Sequence, residues 1–416
     1  MTVTLYPQTV RSPAPLRPCA HDYDVAIVGG GIVGLTLACA LRGSGITVAI
    51  IETQTPEQTT ARPRAYAFSP MSAKIFQALG LWDQVGPNIT HFQRVRMSDG
   101  DAQPVVNFET QDTPRPGAVY YGAEHPVLIK ALQSGLQNSP EVDTWYQTTV
   151  LNVQPTDTGV KLTVEQDDER HTLIAQLLVG ADGARSKIRE QAGINTAGWQ
   201  YWQSCITTVL QPEKSHQHTA YEKFWPSGPF AILPISGNRC QIVWTTPHEE
   251  AKEMLALPRE AFMAELKHRY GSDMGDLTML SEPLMFPVRL MQSRQYVKPR
   301  LALVGDAAHC CHPVGGQGLN MGIRDAAALA SVLKQAYTQG ENLGDLRVLK
   351  RYERWRRTEN WVVLALTDTL NRAFSNQFWP LKTLRRLSFR MMTQVPLVRR
   401  LALRVMTGFF GKLPVR

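Results

Sequence analysis

Residues 23–52, YDVAIVGGGIVGLTLACALRGSGITVAIIE, constrain this chain more than any other stretch. The apolar run 25–28 suits a buried parallel strand. Gly29, Gly31 and Gly34 then follow in GxGxxG spacing and open an apolar helix through Leu35, Leu37, Ala38 and Leu41. Gly43 and Gly45 stop that helix, and 46–51 is a second β-branched strand ending at Glu52. Gly29 allows the tight turn, Gly31 lets backbone approach a pyrophosphate, and Gly34 lets the helix pack closely on the strand. The helix N-terminus stabilises phosphate charge, and Glu52 stands where a ribose hydroxyl would donate to it. The motif predicts a dinucleotide site without saying which dinucleotide.

Two later segments repeat the theme. In 174–189, IAQLLVGADGARSKIR, the pair Asp182-Gly183 ends an apolar strand; in 300–325, RLALVGDAAHCCHPVGGQGLNMGIRD, the pair Gly305-Asp306 does the same. A carboxylate at the end of a buried strand is costly unless it meets donors, and ligands of open α/β sheets lie beyond the carboxyl ends of strands. The second glycine turn, Gly315-Gly316-Gln317-Gly318, leads into a helix beginning at about Gly318, with Leu319, Ile323, Ala326, Ala330 and Leu333 at helical spacing. Its free N–H groups and positive dipole end suit the carbonyl edge of an isoalloxazine, where negative charge collects on reduction.

These three motifs in this order resemble the FAD-dependent aromatic-ring hydroxylases, the single-component flavoprotein monooxygenases related to para-hydroxybenzoate hydroxylase. Within them the chain is most similar to the ubiquinone-biosynthesis hydroxylase group, through YDVAIVGGGIVG, ARPRAYAFSPMSAKIFQALGLW and LALVGDAAHCCHPVGGQGLNMGIRDAAALA. The resemblance implies FAD as cofactor, O2 as co-substrate and NAD(P)H or a partner reductase as electron donor. It implies that Glu52 holds the adenosine ribose, that Arg64 lies near the flavin or its phosphates, and that Asp306 binds a ribityl hydroxyl. The amides of Gly318, Leu319 and Asn320 would meet the pyrimidine edge, and the Asp182-Gly183 loop is linked with FAD and the nicotinamide donor. The implied reaction is hydroxylation of an electron-rich ring through a flavin C4a-hydroperoxide, on a prenylated phenol or quinone precursor of ubiquinone or plastoquinone.

The fold expected is α/β: a Rossmann-like FAD-binding domain (23–90, 117–192 and 291–370) interleaved with an antiparallel-sheet substrate domain (91–116 and 193–290). A Pro-rich tail (1–22), free of acids through His21, precedes them and a basic amphipathic helical tail (371–416) follows. A transit segment is the minor reading of 1–22. Trp225, Phe230, Trp244 and Phe286 are candidates to line the substrate pocket, with 286–288 near the flavin ring, and plain core is the alternative for all of them. Tyr221 and His125 are candidates for phenol activation, although the pattern singles out no catalytic base.

The formal charge of +8 is local: ten basic residues follow Asp368 with no acid among them, leaving 34 basic against 36 acidic residues up to and including it. In 378–416 those charges flank apolar faces, Leu381, Leu384, Leu387 and Met391 in one and Leu401, Val405 and Phe409 in another. That pattern describes peripheral contact with anionic lipid; simple packing of the apolar faces on the enzyme is the alternative, and no nucleic-acid motif accompanies the charge. A cytoplasmic protein, peripheral on the inner face of a membrane, is expected, with a reductase or quinone-biosynthesis complex as partner. No run of 18 uncharged apolar residues predicts a spanning helix. Six cysteines without CxxC spacing read as reduced thiols, and the adjacent His309, Cys310, Cys311 and His312 cannot all aim at one ion, so no metal is expected. An isoprenoid-chain reductase or epoxidase, or a non-catalytic flavoprotein scaffold, are the alternatives the same motifs leave open.

Overall fold

The computed structural model describes residues 21–100, 105–113, 117–376 and 378–414. Residues 1–20, with most of the expected N-terminal tail and Cys19, lie outside these, as do 101–104, 114–116, 377, the side chain of Leu381, and 415–416 with Arg416.

The strand Tyr23–Val28 is central to an eight-stranded sheet, pairing in parallel with Val48–Ile51 on one side and Glu169–Gly180 on the other. Val142–Trp145 and Leu301–Leu303 extend the parallel set outward. Parallel strands buried on both faces need continuous apolar runs, and all four residues of Val48–Ile51 are buried. Helix Ile32–Leu41 covers the first strand and buries every residue except Val33. Two glycines set that contact. Gly29 has φ +114° and a Cβ there would lie 2.4 Å from the Ala181 carbonyl oxygen, while a Cβ on Gly34 would lie 2.0 Å from the Gly29 carbonyl oxygen. No other residue fits either place.

A second, nine-stranded sheet is antiparallel except where Thr219–Trp225 runs parallel to Arg94–Ser98. It draws strands from both expected insertions, and also His309–Cys310, which the sequence places in the FAD-binding region. Its two faces differ. Helices His248–Ala256 and Arg259–Tyr270, inside the stretch expected to be sheet, cover one face and bury Phe230, Trp244, Phe262 and Leu266 with it. The other face looks back toward the first sheet across a short three-stranded sheet, Ala65–Phe68, Tyr120–Glu124 and Thr90–Phe92. Gln241 joins the two: its amide accepts from the Ala65 N–H and donates to the Ala65 carbonyl. The mixed α/β class and the helical C-terminal region are as expected.

Helices Gln317–Thr338 and Leu346–Phe374 lead into the tail helices Trp379–Gln394 and Pro396–Met406. Pro396 starts the last helix at its first position, where a missing N–H costs nothing. The tail divides its residues unlike a simple amphipathic pair. Phe389 and Leu403 are buried with Phe108, Phe224 and Phe374. Arg385 is buried too, donating to the carbonyls of Ala373, Phe374 and Asn376, and Arg399 makes a two-pronged ion pair with Asp112 at 2.8 and 2.9 Å. Leu384, Leu387, Met391, Leu397 and Leu401 stay exposed. The second predicted face therefore splits: Phe409 is buried and Leu401 points out. Among the described residues no helix is long and apolar enough to cross a membrane.

Candidate functional site

A cavity of about 940 Å³ lies between the strand ends of the first sheet and the uncovered face of the second. Gly31, Arg64, Asp182, Gly183, Asp306, Gly318 and Leu319 all line it, although they are far apart in sequence. Gly29, Gly34, Glu52, Gly305 and Asn320 stand behind them. A Cβ on Gly31 or Gly183 would meet nothing within 4 Å, so both backbones are open to a ligand.

The residues in the rear hold the front ones in place. Glu52 Oε2 accepts the Gly30 N–H at 2.7 Å and Oε1 accepts the Gln54 N–H at 2.9 Å, tying the glycine turn to the end of the second strand. Oε1 also accepts from Thr53 Oγ1 at 3.1 Å, so Oε2 is the oxygen that keeps acceptor capacity for a hydroxyl. The Asn320 side chain accepts from the Ser69 N–H and Ser72 Oγ and donates to the carbonyls of Ala67 and Gly316. It locks the segment after Arg64 to the start of helix Gln317–Thr338. That helix begins one residue earlier than the spacing suggested, so its unpaired first-turn amides are those of Gln317, Gly318 and Leu319.

Asp182 Oδ2 accepts the Ile188 N–H at 3.1 Å, whereas Oδ1 is buried without a hydrogen-bond partner. The Asp306 carboxylate is open, but toward the cavity. Protein crowding pushes its pKa up, and His309, Arg64 and Arg289 pull it partly back. Arg64 makes no ion pair among the described residues; its guanidinium lies 5.5 Å from the Tyr66 ring centre and 5.3 Å from that of Phe286. Two acceptors and one cation thus face the space with capacity unused.

Sequence reading missed the brace behind Gly305. Asp325, fully buried, accepts from His309 Nε2 at 2.5 Å, the Gly305 N–H at 3.2 Å, Arg356 Nε at 2.8 Å and Asn360 Nδ2 at 2.9 Å. Burial raises its pKa, but His309 and Arg356 outweigh that and hold the carboxyl well below the usual range. Arg189 similarly donates to the carbonyls of Ala184 and Ala307, bridging the Asp182 and Asp306 turns. Both residues sit inside the quoted motifs, so the signal was present and went unused. The neighbouring His309, Cys310, Cys311 and His312 diverge: His309 turns to Asp325, while His312 Nδ1 accepts the Val314 N–H.

Of the four candidate pocket aromatics only Phe286 reaches the cavity; Trp225, Phe230 and Trp244 belong to the helix-covered face. Strand alternation explains this, because Phe224 faces the cavity and Trp225 the opposite side. Tyr221 borders the cavity, but its ring packs with the helix-covered side, beneath Arg96. His125 is buried with both nitrogens engaged, Nε2 with the Thr59 carbonyl at 2.8 Å and Nδ1 with the Tyr66 hydroxyl at 3.0 Å. Burial lowers its pKa, so it is a neutral ring that positions Tyr66 rather than a free base. The cavity-facing sheet residues are Val95, Met97, Ala220, Glu222, Phe224, Leu233 and Val243, joined by Val363, Leu366 and Leu370 of helix Leu346–Phe374 and by Val405 and Met406 of the tail. One pole of the cavity is thus polar and glycine-rich, the other apolar.

The chain matches the family model described as FAD binding domain over residues 22–367. It is 46% identical over 394 residues to uncharacterized protein slr1300 of Synechocystis sp., covering 95% of this chain and 95% of that protein. It is 37% identical to ubiquinone hydroxylase UbiL of Rhodospirillum rubrum (92% of this chain, 89% of that one). Against 3-demethoxyubiquinol 3-hydroxylase of Escherichia coli the identity is 33%, over 92% of this chain and 98% of that protein. Among solved structures, p-nitrophenol 4-monooxygenase PnpA of Pseudomonas putida shares the fold with TM-score 0.79 at 20% identity, covering 93% of this chain and 98% of that one.

Proposed function

This chain belongs to the FAD binding domain family and is an FAD-dependent monooxygenase, and from that premise we propose that it hydroxylates the aromatic ring of a lipophilic phenol or quinone precursor of ubiquinone or plastoquinone. The observation that carries the reading is the two-poled cavity, with unused polar groups at strand ends facing an apolar sheet. The names of the relatives at 37% and 33% identity, a ubiquinone hydroxylase and a demethoxyubiquinol hydroxylase, support the substrate class.

The polar pole fits FAD. Asp182 Oδ1 and Asp306 are acceptors for ligand hydroxyls, Glu52 for the adenosine ribose, and the open backbone at Gly31 suits a pyrophosphate. The first-turn amides Gln317–Leu319 would stabilise negative charge at the pyrimidine edge, and Arg64 adds positive charge nearby. Bound FAD supplies electron transfer from NAD(P)H or a partner reductase and activation of O2. The apolar walls have a separate task. Val95, Met97, Phe224, Leu233 and Val243 exclude water, which in such a site diverts reducing equivalents to hydrogen peroxide.

The tail supports a membrane-borne substrate. Leu384, Leu387, Leu397 and Leu401 stand exposed beside Arg386, Arg390 and Arg400, while Val405 and Met406 at the end of the same last helix line the cavity. A surface of that chemistry lies on anionic lipid, and a prenylated ring held there has a short path inward.

Mass spectrometry of the quinone pool in a deletion strain, with oxygen-18 labelling on complementation, tests the reading. A precursor one oxygen short, with label restored into the ring, is expected. An unchanged pool would remove the quinone assignment and turn attention to reduction or epoxidation of an isoprenoid chain, or to a scaffold role.

A further inference from the structure

Among the described residues, one carboxylate of the antiparallel sheet faces the cavity, Glu222, midway along Thr219–Trp225. Its surroundings are apolar. Ala220 and Phe224 flank it on its own strand, and the pairing register sets Ala231 and Met97 beside it. The Gly315 backbone amide lowers the pKa of this carboxyl, and Oε1 is buried with no hydrogen-bond partner. No cation among the described residues pairs with it. A buried acceptor without a donor costs stability, and nothing in the packing of this sheet requires a carboxylate there. Its place is also telling: Gly315 belongs to the turn that opens helix Gln317–Thr338, so Glu222 spans from the apolar face to the loop assigned to the flavin edge.

We propose that Glu222 Oε1 receives the ring hydroxyl of the substrate, fixing the ring beneath the flavin loop and taking the hydroxyl proton as oxygen is added to the ring. This rests on the phenolic-substrate reading above. The ring O–H bond breaks with its electron pair left on the ring oxygen, which enriches the ring, and a new O–H bond forms on Glu222. The proton returns to the product oxygen before release, so the carboxylate is regenerated without any further reactant. Burial pushes the Glu222 carboxyl up to about 7, against a smaller lowering by the Gly315 amide. A base is most effective with its pKa near the working pH.

The test uses the full FAD-loaded chain and the variants Glu222→Gln and Glu222→Leu. A prenylated phenol and its O-methyl ether are titrated against the visible spectrum of the bound flavin, and hydroxylation of the phenol is followed separately. Wild type should prefer the phenol roughly tenfold or more, as a hydrogen bond to a charged group implies. Leucine should erase that preference. Glutamine, which accepts a hydrogen bond but takes no proton, should hold KM within a few-fold while kcat falls on the order of 100-fold. A preference unchanged in the leucine variant, or kcat of the glutamine variant within twofold of wild type, overturns the assignment of Glu222 alone. Wild type that binds neither compound removes the phenolic-substrate reading and this one with it. Should the leucine variant lose its flavin, the glutamine variant decides through kcat.

Discussion

Two carboxylates, Asp325 fully buried and Glu222 half-buried at the cavity, show how differently the halves of this molecule treat charge. Asp325, behind the Gly305 turn, is surrounded by His309, Arg356, Asn360 and a backbone amide. Glu222, on the antiparallel sheet, has an Oε1 without a partner. Behind the Gly305 turn the first half closes its polar groups on one another, and at Asp182 and Asp306 it leaves acceptors open toward the cavity. The substrate half leaves groups unsatisfied on both sides, a carboxylate within and leucines on the tail without. The paired charge of Asp325 holds a turn in shape; the unpaired one of Glu222 faces the cavity.

The comparison breaks most sharply at Asp325. Replacing it by alanine leaves His309 without its carboxylate and Arg356 with Glu359 as its remaining ion pair, and removal of one partner from a buried pair costs about 3–5 kcal/mol. Urea denaturation of Asp325→Ala should show that loss, together with poor flavin retention as the Gly305 turn loosens. The pH dependence follows from the sign of the shift. Because the folded-state pKa is depressed, the contribution of Asp325 is fully present above its unfolded value of about 3.9. It is lost as pH falls through the folded value. The gap between wild type and variant should therefore be constant from neutrality to about pH 5 and shrink below about pH 4. A variant as stable as wild type would show that the brace is dispensable.

Asp306→Ala sharpens the contrast, since this carboxylate belongs to the same turn but faces the ligand. Loss of a hydrogen bond to a charged group should weaken FAD binding roughly 10- to 100-fold, read as flavin absorbance per protein after purification. The flavin-free variant should unfold near the same urea concentration as flavin-free wild type. Near-normal FAD occupancy would sink the ribityl role of Asp306.

The two halves also differ in how much of them the sequence discloses. The turn at Gly29 and the close contact at Gly34 are dictated by neighbours a few residues away, so local spacing carries them. Asp182 and Asp306 were legible because each follows a strand that ends in a motif, and the helix start was legible to within one residue, at Gln317 rather than Gly318, from the glycine turn before it. Glu222 has no such frame. Alternation along Thr219–Trp225 separates Ala220, Glu222 and Phe224 from Tyr221 and Trp225, but does not say which set meets the cavity. That depended on helices His248–Ala256 and Arg259–Tyr270 covering the other face, which also withdrew Phe230 and Trp244 from the pocket. Arg356, supplied by a helix far from the glycine motifs, was invisible as a partner of Asp325 for the same long-range reason.

The smallest effect on folding is expected at the tail, where the contrast is between arginines that anchor and leucines that do not. Truncation after residue 370 would cut within helix Leu346–Phe374 and uncover Phe108 and Phe224, so it would confound packing with membrane contact. Leu384→Ser with Leu387→Ser avoids this, because both side chains are already exposed at 60% and 53%. Substitutions at such positions change stability by no more than about 0.5 kcal/mol. Partition of the full chain onto vesicles containing anionic lipid should nevertheless fall several-fold, because each leucine seated in the interface contributes apolar burial. Raising the salt should weaken wild-type binding further through Arg386, Arg390 and Arg400. Partition unchanged by the leucine substitutions, or insensitive to salt, would leave the tail a packing element held by Arg385 and Arg399, and the substrate would have to reach the cavity through water.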